Sequence, residues 1–106
     1  MTKELYWAYV GFTDNAEGKT RPVLYICQTG TDYVVFRLSS QYDNKSSFIQ
    51  SKYVEIKDWQ QAGLKKRSWI DTMQTYHLPI DHTELTYIGQ LTANDVERLI
   101  QQLDPN

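Results

Sequence analysis

Residues 19–27 read Lys-Thr-Arg-Pro-Val-Leu-Tyr-Ile-Cys, and the rest of the chain is organised around this stretch. Pro22 cannot donate a backbone hydrogen bond, so it fits the first position of a strand. The five residues that follow it are apolar, which predicts a strand buried on both faces. Arg21 therefore directly precedes a rigid element, and its guanidinium is suited to holding a phosphate through two parallel hydrogen bonds. An ordinary surface arginine beside a strand is the alternative.

The bulk composition limits the class of protein. A chain of 106 residues has room for one core, so residues 1–106 are interpreted as a single domain. The net charge of -2 argues against a general nucleic-acid binder, although it allows a small basic site. Cys27 is the only cysteine, and we expect it to be a buried core residue. The N-terminus has no apolar signal core and no segment is long enough to span a membrane, so we expect a cytoplasmic protein without membrane contact.

Apolar and aromatic runs predict that the first half of the chain is β-structure. Residues 5–12 predict a first strand, and a polar loop at 14–20 leads into the strand after Arg21. A turn at residues 29–32 precedes a third strand at 33–38. If the second and third strands form a hairpin, the loop before Arg21 and the loop after the third strand lie at the same end of the sheet.

The second half of the chain predicts shorter elements before a helix. One or two strands are expected in residues 48–56, a single helical turn in 58–63 and another strand in 73–80, with a brief apolar link at 87–91. The last segment is an amphipathic helix, because Thr92 and Asp95 resemble a capping box and apolar residues then recur on one face. These residues are Val96, Leu99, Ile100 and Leu103.

Five short stretches follow one another in order along the chain, namely Thr20-Arg21-Pro22-Val23-Leu24, Leu38-Ser39-Ser40-Gln41, Ala62-Gly63-Leu64-Lys65, Ser68-Trp69-Ile70 and Ile88-Gly89-Gln90-Leu91. Their order, together with the order of the predicted elements, resembles the MazF/PemK family of toxin endoribonucleases over nearly the whole chain. Thr20 stands where that family often has a second arginine, and Ser39 stands where active members often have threonine.

The resemblance implies a fold, an activity and partners. The fold would be mainly β with a C-terminal helix, an SH3-like, partly open barrel. The chain would be the toxin of a type II toxin-antitoxin pair, a metal-independent endoribonuclease without cofactor that cleaves single-stranded RNA such as mRNA through its 2′-hydroxyl. Arg21 and Ser39 would be the catalytic pair. A homodimer is also implied, as is a cognate antitoxin whose disordered tail folds over the active site.

Further residues near the implied catalytic pair are expected to bind RNA. Tyr42, in the loop after Ser39, is the exposed aromatic residue that we expect to contact a base. The basic cluster at 65–67 fits either phosphate binding or simple solvation. The expected RNA-binding residues are Thr20, Ser40, Gln41, Tyr42, Lys65, Lys66 and Arg67.

Two other interpretations remain open at this point. A pair of histidines, His77 and His82, is a conceivable acid–base site, although exposed histidines without function are common. With two histidines, one cysteine and no ligand spacing, no zinc site is expected. The alternative function is a catalytically inert SH3-like barrel that acts as a binding or interaction module.

Overall fold

A computed structural model describes residues 3–10 and 20–104 of the chain. The described residues form one antiparallel sheet of six strands, ordered β4-β5-β3-β2-β1-β6, and a C-terminal helix. The mainly β prediction with a C-terminal helix is therefore confirmed. The strands are β1 (Glu4–Val10), β2 (Thr20–Gln28), β3 (Asp32–Ser39), β4 (Tyr53–Ile56), β5 (Ser68–Pro79) and β6 (Thr83–Gln90). The helices are α1 (Ser47–Gln50) and α2 (Ala93–Leu103), and a 3-10 helix, Ile80–His82, joins β5 to β6.

The predicted hairpin of β2 and β3 is confirmed. Hydrogen bonds between the first and last residues of the turn at 29–32 close it. In the ladder, Val23 pairs with Arg37. Continued two residues towards the start of β2 and the end of β3, the same register brings Arg21 level with Ser39. The hairpin therefore brings together two residues that lie well apart in the sequence.

The sheet separates two apolar clusters, because side chains alternate between its faces. On one side lies the larger cluster, which α2 covers with the fully buried Leu99 and the half-buried Val96. On the other side lies a smaller cluster, in which half-buried tyrosines and leucines surround three buried residues. The larger cluster is Leu5, Leu24, Phe36, Leu38, Val54, Ile56, Ala62, Leu64, Ile70, Leu91 and Leu99, and the smaller is Ala8, Val23 and Val35.

The sheet curls so that its two edges approach each other. A turn at residues 57–63 follows the edge strand β4 and ends at Gly63, whose φ is +94°. This turn lies directly against β6, the opposite edge, since a Cβ added at Gly89 would overlap the carbonyl oxygen of Ala62. Only glycine allows so close an approach of two backbones. The result is a barrel-like sheet with a helix beside it.

A buried carboxylate ties α2 to the same turn. Thr92 caps the helix as predicted, with its Oγ1 accepting a bond from the backbone N–H of Asp95 at 3.5 Å. The Asp95 side chain does not complete a capping box. It is fully buried and accepts the backbone N–H groups of Lys57 and Asp58 at 3.0 and 2.9 Å, and Nε of Arg98 donates to it at 3.3 Å. The position of the helix on the barrel is therefore fixed by these charge-assisted bonds.

Several element predictions are right only in part. A strand in residues 48–56 is confirmed by β4, but most of α1 also lies there, because Ser46 caps a short helix and so short an apolar run cannot be distinguished from a strand by periodicity. The basic cluster is followed by one long strand, Ser68–Pro79, rather than by two segments. Residues 87–90 belong to β6 and are no mere link.

Predictions about burial need correction as well. Cys27 is exposed, since it follows a β-bulge near the end of β2, and only Val23 and Leu24 of that strand are buried. Pro22 occupies the third position of the strand, not the first. The end of the predicted first strand, at residues 11 and 12, and most of the predicted loop at 14–20 lie outside the described residues. Within the described ranges, no helix has the length and apolar character required to cross a membrane.

Candidate functional site

An open cleft of about 400 Å³ lies at the end of the barrel where β2 begins and β3 ends. Its walls are the start of β2, the end of β3, the loop at 40–45 and the segment at 64–68, with Trp7 of β1 beside them. The loop and the segment have irregular structure, and each is attached to a strand that the sheet holds in place. This is the usual arrangement of a binding site on a scaffold.

The charges on the cleft walls are all of one sign. Its described lining residues include five cationic side chains and no aspartate, glutamate or histidine. The chain as a whole has a net charge of -2, so basic residues are concentrated at this end of the barrel. Such a concentration attracts polyanions. We call this site the cationic cleft, and its five cations are Arg21, Arg37, Lys45, Lys65 and Lys66.

The predicted pair, Arg21 and Ser39, lines this one cleft. Arg21 is exposed on β2, where its backbone pairs with Ala8 of β1, and no described residue forms an ion pair or hydrogen bond with its side chain. Ser39 is half-buried, and its hydroxyl accepts a bond from the backbone N–H of Gln41 at 3.0 Å and donates to the carbonyl of Gln41 at 3.2 Å. Among the described residues, therefore, none pairs with the guanidinium, whereas the hydroxyl holds the backbone of the loop that forms the cleft wall.

Three lining residues were missed in the sequence, namely Trp7, Arg37 and Lys45. Arg37 is oriented by Tyr76, whose hydroxyl oxygen accepts a bond from Nη1 at 3.2 Å and whose ring centroid lies 5.3 Å from the guanidinium carbon. A signal for Arg37 was present, because it is a single charge within an apolar strand, two residues before Ser39. The sequence held no comparable signal for Lys45, which lies in a polar loop.

The expected RNA-binding residues divide between two places. Five of them line the cationic cleft, namely Thr20, Ser40, Gln41, Lys65 and Lys66. The other two line a neighbouring pocket and do not line the cleft. The description of Tyr42 as a freely exposed aromatic residue is wrong, since its ring stacks on Trp69 with centroids 5.0 Å apart and planes 9° apart. Arg67 lies over the same indole and pairs with Glu55 at 3.4 Å.

Neither histidine lines the cleft. His77 lies within β5, where its Nδ1 is 3.9 Å from a carboxylate oxygen of Asp32, and His82 ends the 3-10 helix. A histidine pair therefore does not serve the cationic cleft. Among the described residues, no three histidine, cysteine, aspartate or glutamate side chains are grouped as metal ligands would be.

Comparison with known proteins adds no assignment. No protein-family model matches the chain, and a search of curated proteins found no significant match. The cationic cleft and the side chains beside it are therefore the features of this protein that bear on its function.

Proposed function

We propose that the chain cleaves single-stranded RNA in the cationic cleft, as a metal-independent endoribonuclease toxin of the MazF/PemK kind on an SH3-like, partly open barrel. The observation that supports the proposal best is that Arg21 and Ser39 line one cleft together with four further cations and no described acidic residue. An RNA strand carries one negative charge per nucleotide, and positive side chains along a groove are what binds its backbone.

The proposed reaction uses the RNA as its own nucleophile. The 2′-oxygen of one ribose attacks the adjacent phosphorus while the bond from phosphorus to the 5′-oxygen of the next nucleotide breaks. The products are a 2′,3′-cyclic phosphate and a free 5′-hydroxyl. The proton of the 2′-hydroxyl passes to solvent, and the departing 5′-oxygen takes one from solvent. Negative charge gathers on the phosphoryl oxygens in the transition state, where fixed cationic donors are most effective.

Arg21 is assigned the electrostatic role in this reaction. Arginine keeps its proton at ordinary pH, so its guanidinium donates hydrogen bonds and does not act as a base. The described lining residues of the cleft include no carboxylate or imidazole that could take the proton. Arg21 is free of described partners and stands at the rigid start of β2, which suits it to hold the phosphate.

Ser39 distinguishes the proposed enzyme from the second candidate function, an inert module that binds RNA or another polyanion. In the enzyme, the Ser39 hydroxyl would turn from the carbonyl of Gln41 towards a phosphoryl oxygen as a second donor. In the inert module, it would only hold the loop, as its two bonds to Gln41 now do. Those bonds are the observation that favours the module. Cleavage, as opposed to binding alone, decides between the two.

The decisive experiment compares the wild-type protein with Arg21→Ala on a labelled single-stranded RNA in the presence of EDTA. We expect cleavage that yields cyclic phosphate ends, and a rate about 10²–10³-fold lower in Arg21→Ala, as for the loss of one transition-state donor. A matched control is Lys57→Gln, which removes one exposed charge away from the cleft. An RNA with 2′-deoxyribose at the cleavage position should resist both proteins. Equal rates for wild type and Arg21→Ala would contradict the catalytic assignment, and binding without cleavage would favour the inert module.

The partners that the family resemblance implies are also proposals. A homodimer would elute from gel filtration at twice the mass of one chain, and elution as a monomer at all concentrations would refute it. A cognate antitoxin with an acidic tail would suit the cationic cleft and compete with RNA for it. A toxin acting on mRNA would work in the cytoplasm, so expression of the wild-type chain should arrest growth, while Arg21→Ala should not.

A further inference from the structure

A second, smaller pocket of about 160 Å³ lies beside the cationic cleft. It is lined by Tyr42, Asp43, Tyr53, Glu55, Arg67 and Trp69, and we call it the aromatic pocket. Its volume is well below that of sites for drug-sized ligands, so it suits one ring system rather than a whole cofactor. Three of its six residues are aromatic and two are carboxylates, in clear contrast to the cleft.

The aromatic pocket contains a prepared stacking surface. Trp69 is only 7% exposed, and its indole supports the ring of Tyr42 in a nearly parallel stack. Tyr53 lies 6.3 Å from Tyr42 with its ring tilted by 47°, and both tyrosines remain half-exposed. The tryptophan thus holds one tyrosine in place, and the exposed parts of the two tyrosine rings offer a surface on which a flat ring can stack.

The pocket and the cationic cleft are joined through the backbone at two points. Gln41 lines the cleft and Tyr42 lines the pocket; Lys66 lines the cleft and Arg67 the pocket. The two cavities are therefore direct neighbours, separated at these points by single residues of the chain. A nucleotide with its phosphate in the cleft can therefore place its base in the pocket.

The polar groups of the pocket favour one base. Asp43 is exposed, and no described residue forms a hydrogen bond with its carboxylate. Among the described residues, the Glu55 side chain pairs with Arg67 alone, at 3.4 Å. The two side chains are 39% and 65% exposed, so this ion pair is weak and opens easily. Ionised carboxylates only accept hydrogen bonds. Guanine presents two adjacent donors, N1–H and N2–H₂, which match the two oxygens of one carboxylate, whereas adenine, cytosine and uracil each place an acceptor next to their donor.

We propose that the aromatic pocket is a guanine-selective nucleobase subsite for the RNA strand whose phosphate lies in the cationic cleft. The inference rests on the proposed function for its substrate class, but the subsite binds a nucleotide whether or not the cleft cleaves RNA. Tyr42 and Tyr53 hold the base by stacking. The carboxylate of Asp43 or Glu55 accepts hydrogen bonds from N1–H and N2–H₂ of guanine. The pocket thereby selects RNA strands that have guanine at this position.

A cation is the competing occupant, because aromatic rings and carboxylates also attract ammonium groups. The contacts of Arg67 count against it. The guanidinium carbon of Arg67 already lies 5.2 Å from the Trp69 ring centroid, so the indole of the pocket already has a cation over it. The chain thus supplies its own cation to the pocket, which leaves the stacking surface of the tyrosines for a neutral ring.

Binding of the four ribonucleoside 5′-monophosphates, measured by titration calorimetry, tests the inference apart from catalysis. We expect GMP to bind about tenfold more tightly than AMP, CMP or UMP, as for one good bidentate contact. Asp43→Asn and Glu55→Gln are nearly isosteric changes at exposed or half-exposed positions, and we expect at least one of them to remove the preference for GMP while the affinity for AMP stays the same. Lys57→Gln serves as the control and should leave all four affinities unchanged.

Each outcome of this experiment is informative. Equal affinity for the four nucleotides, or no binding of any of them, overturns the subsite even if the protein cleaves RNA. Selective GMP binding by a protein that cleaves no RNA refutes the ribonuclease and supports the subsite. Tetramethylammonium chloride is the probe for the competing occupant, and its binding with loss on Glu55→Gln, in the absence of GMP binding, would assign the pocket to a cation. A GMP preference that survives in Asp43→Asn and in Glu55→Gln also overturns the proposed recognition.

Discussion

If the cationic cleft binds RNA as proposed, its five cations predict how strongly the affinity depends on salt. Each side chain that neutralises one phosphate of a single strand adds about -0.7 to the slope of log affinity against log salt. With all five cations of the cleft engaged, the slope is about -3.5. Raising salt from about 50 to about 200 mM should therefore weaken binding by about two orders of magnitude. Fluorescence anisotropy with a short 2′-O-methyl RNA measures binding alone, because that RNA lacks the free 2′-hydroxyl that the proposed cleavage requires.

Charge variants make the salt experiment specific for the cleft. Lys65→Gln and Lys66→Gln should each make the slope less steep by about 0.7, since each removes one phosphate contact. Lys57→Gln changes the net charge by the same amount but lies outside the cleft, so it should leave the slope unchanged. A slope near zero for the wild type would refute binding through the cleft. An equal effect of Lys57→Gln and Lys65→Gln would show that affinity follows the overall charge and not this site.

Three further predictions concern the fold that holds the site. Asp95→Ala leaves two backbone N–H groups without their acceptor. We therefore expect a loss of about 3 kcal/mol in the free energy of unfolding, measured by urea denaturation. A change below about 0.5 kcal/mol, as at an ordinary surface position, would refute the role of Asp95 in holding α2 to the turn at 57–63. Gly89→Ala should destabilise by about 1–3 kcal/mol, because the new methyl group meets backbone, whereas Gly30→Ala, with open space around it, should cost far less. Burial raises the pKa of Tyr6 above its ordinary value of 10.0, with Glu4 and two neighbouring tyrosines adding to the effect. The Tyr6 hydroxyl therefore loses its proton at a lower pH in the unfolded chain than in the folded one, so the stability of the fold falls as pH rises from 10 through the folded pKa. Tyr6→Phe should lessen that fall in melting temperature, measured by thermal melts at alkaline pH. Identical dependence of melting temperature on pH in the two proteins would contradict the prediction.

The parts of the fold that the sequence predicts are those with local signals. The hairpin of β2 and β3 follows from a proline, an apolar run and a turn within twenty residues, and α2 follows from the spacing of its apolar residues. The curl of the sheet has no such signal, because it depends on the contact of Gly89 with a turn that is distant in the chain. Residues 87–90 lack strict alternation, and their assignment to β6 comes from pairing with β1.

The same distinction explains which site residues were found. Arg21 and Ser39 could be placed together, because hairpin geometry puts the outer ends of two paired strands side by side. Tyr42 could not be placed correctly, since its position is set by stacking on Trp69, which reaches it only through the pairing of β3 with β5. Local sequence shows that a tyrosine lies in a polar loop. It does not show which ring that tyrosine will contact.

The net charge of the chain is a poor guide to this site, and the reason is physical. The chain has 11 basic and 13 acidic residues, and five of the basic ones line the cationic cleft. At about 0.1 M salt, exposed charges more than about 10 Å apart are largely screened from each other. A phosphate bound in the cleft would therefore respond mainly to the charges near it, which are the five cations of the cleft walls and the two carboxylates of the adjoining aromatic pocket, and little to more distant carboxylates. Under the proposed function, a chain of net charge -2 with its cations concentrated at one end would bind an RNA strand there, beside Arg21, and would attract it little to the rest of the described surface.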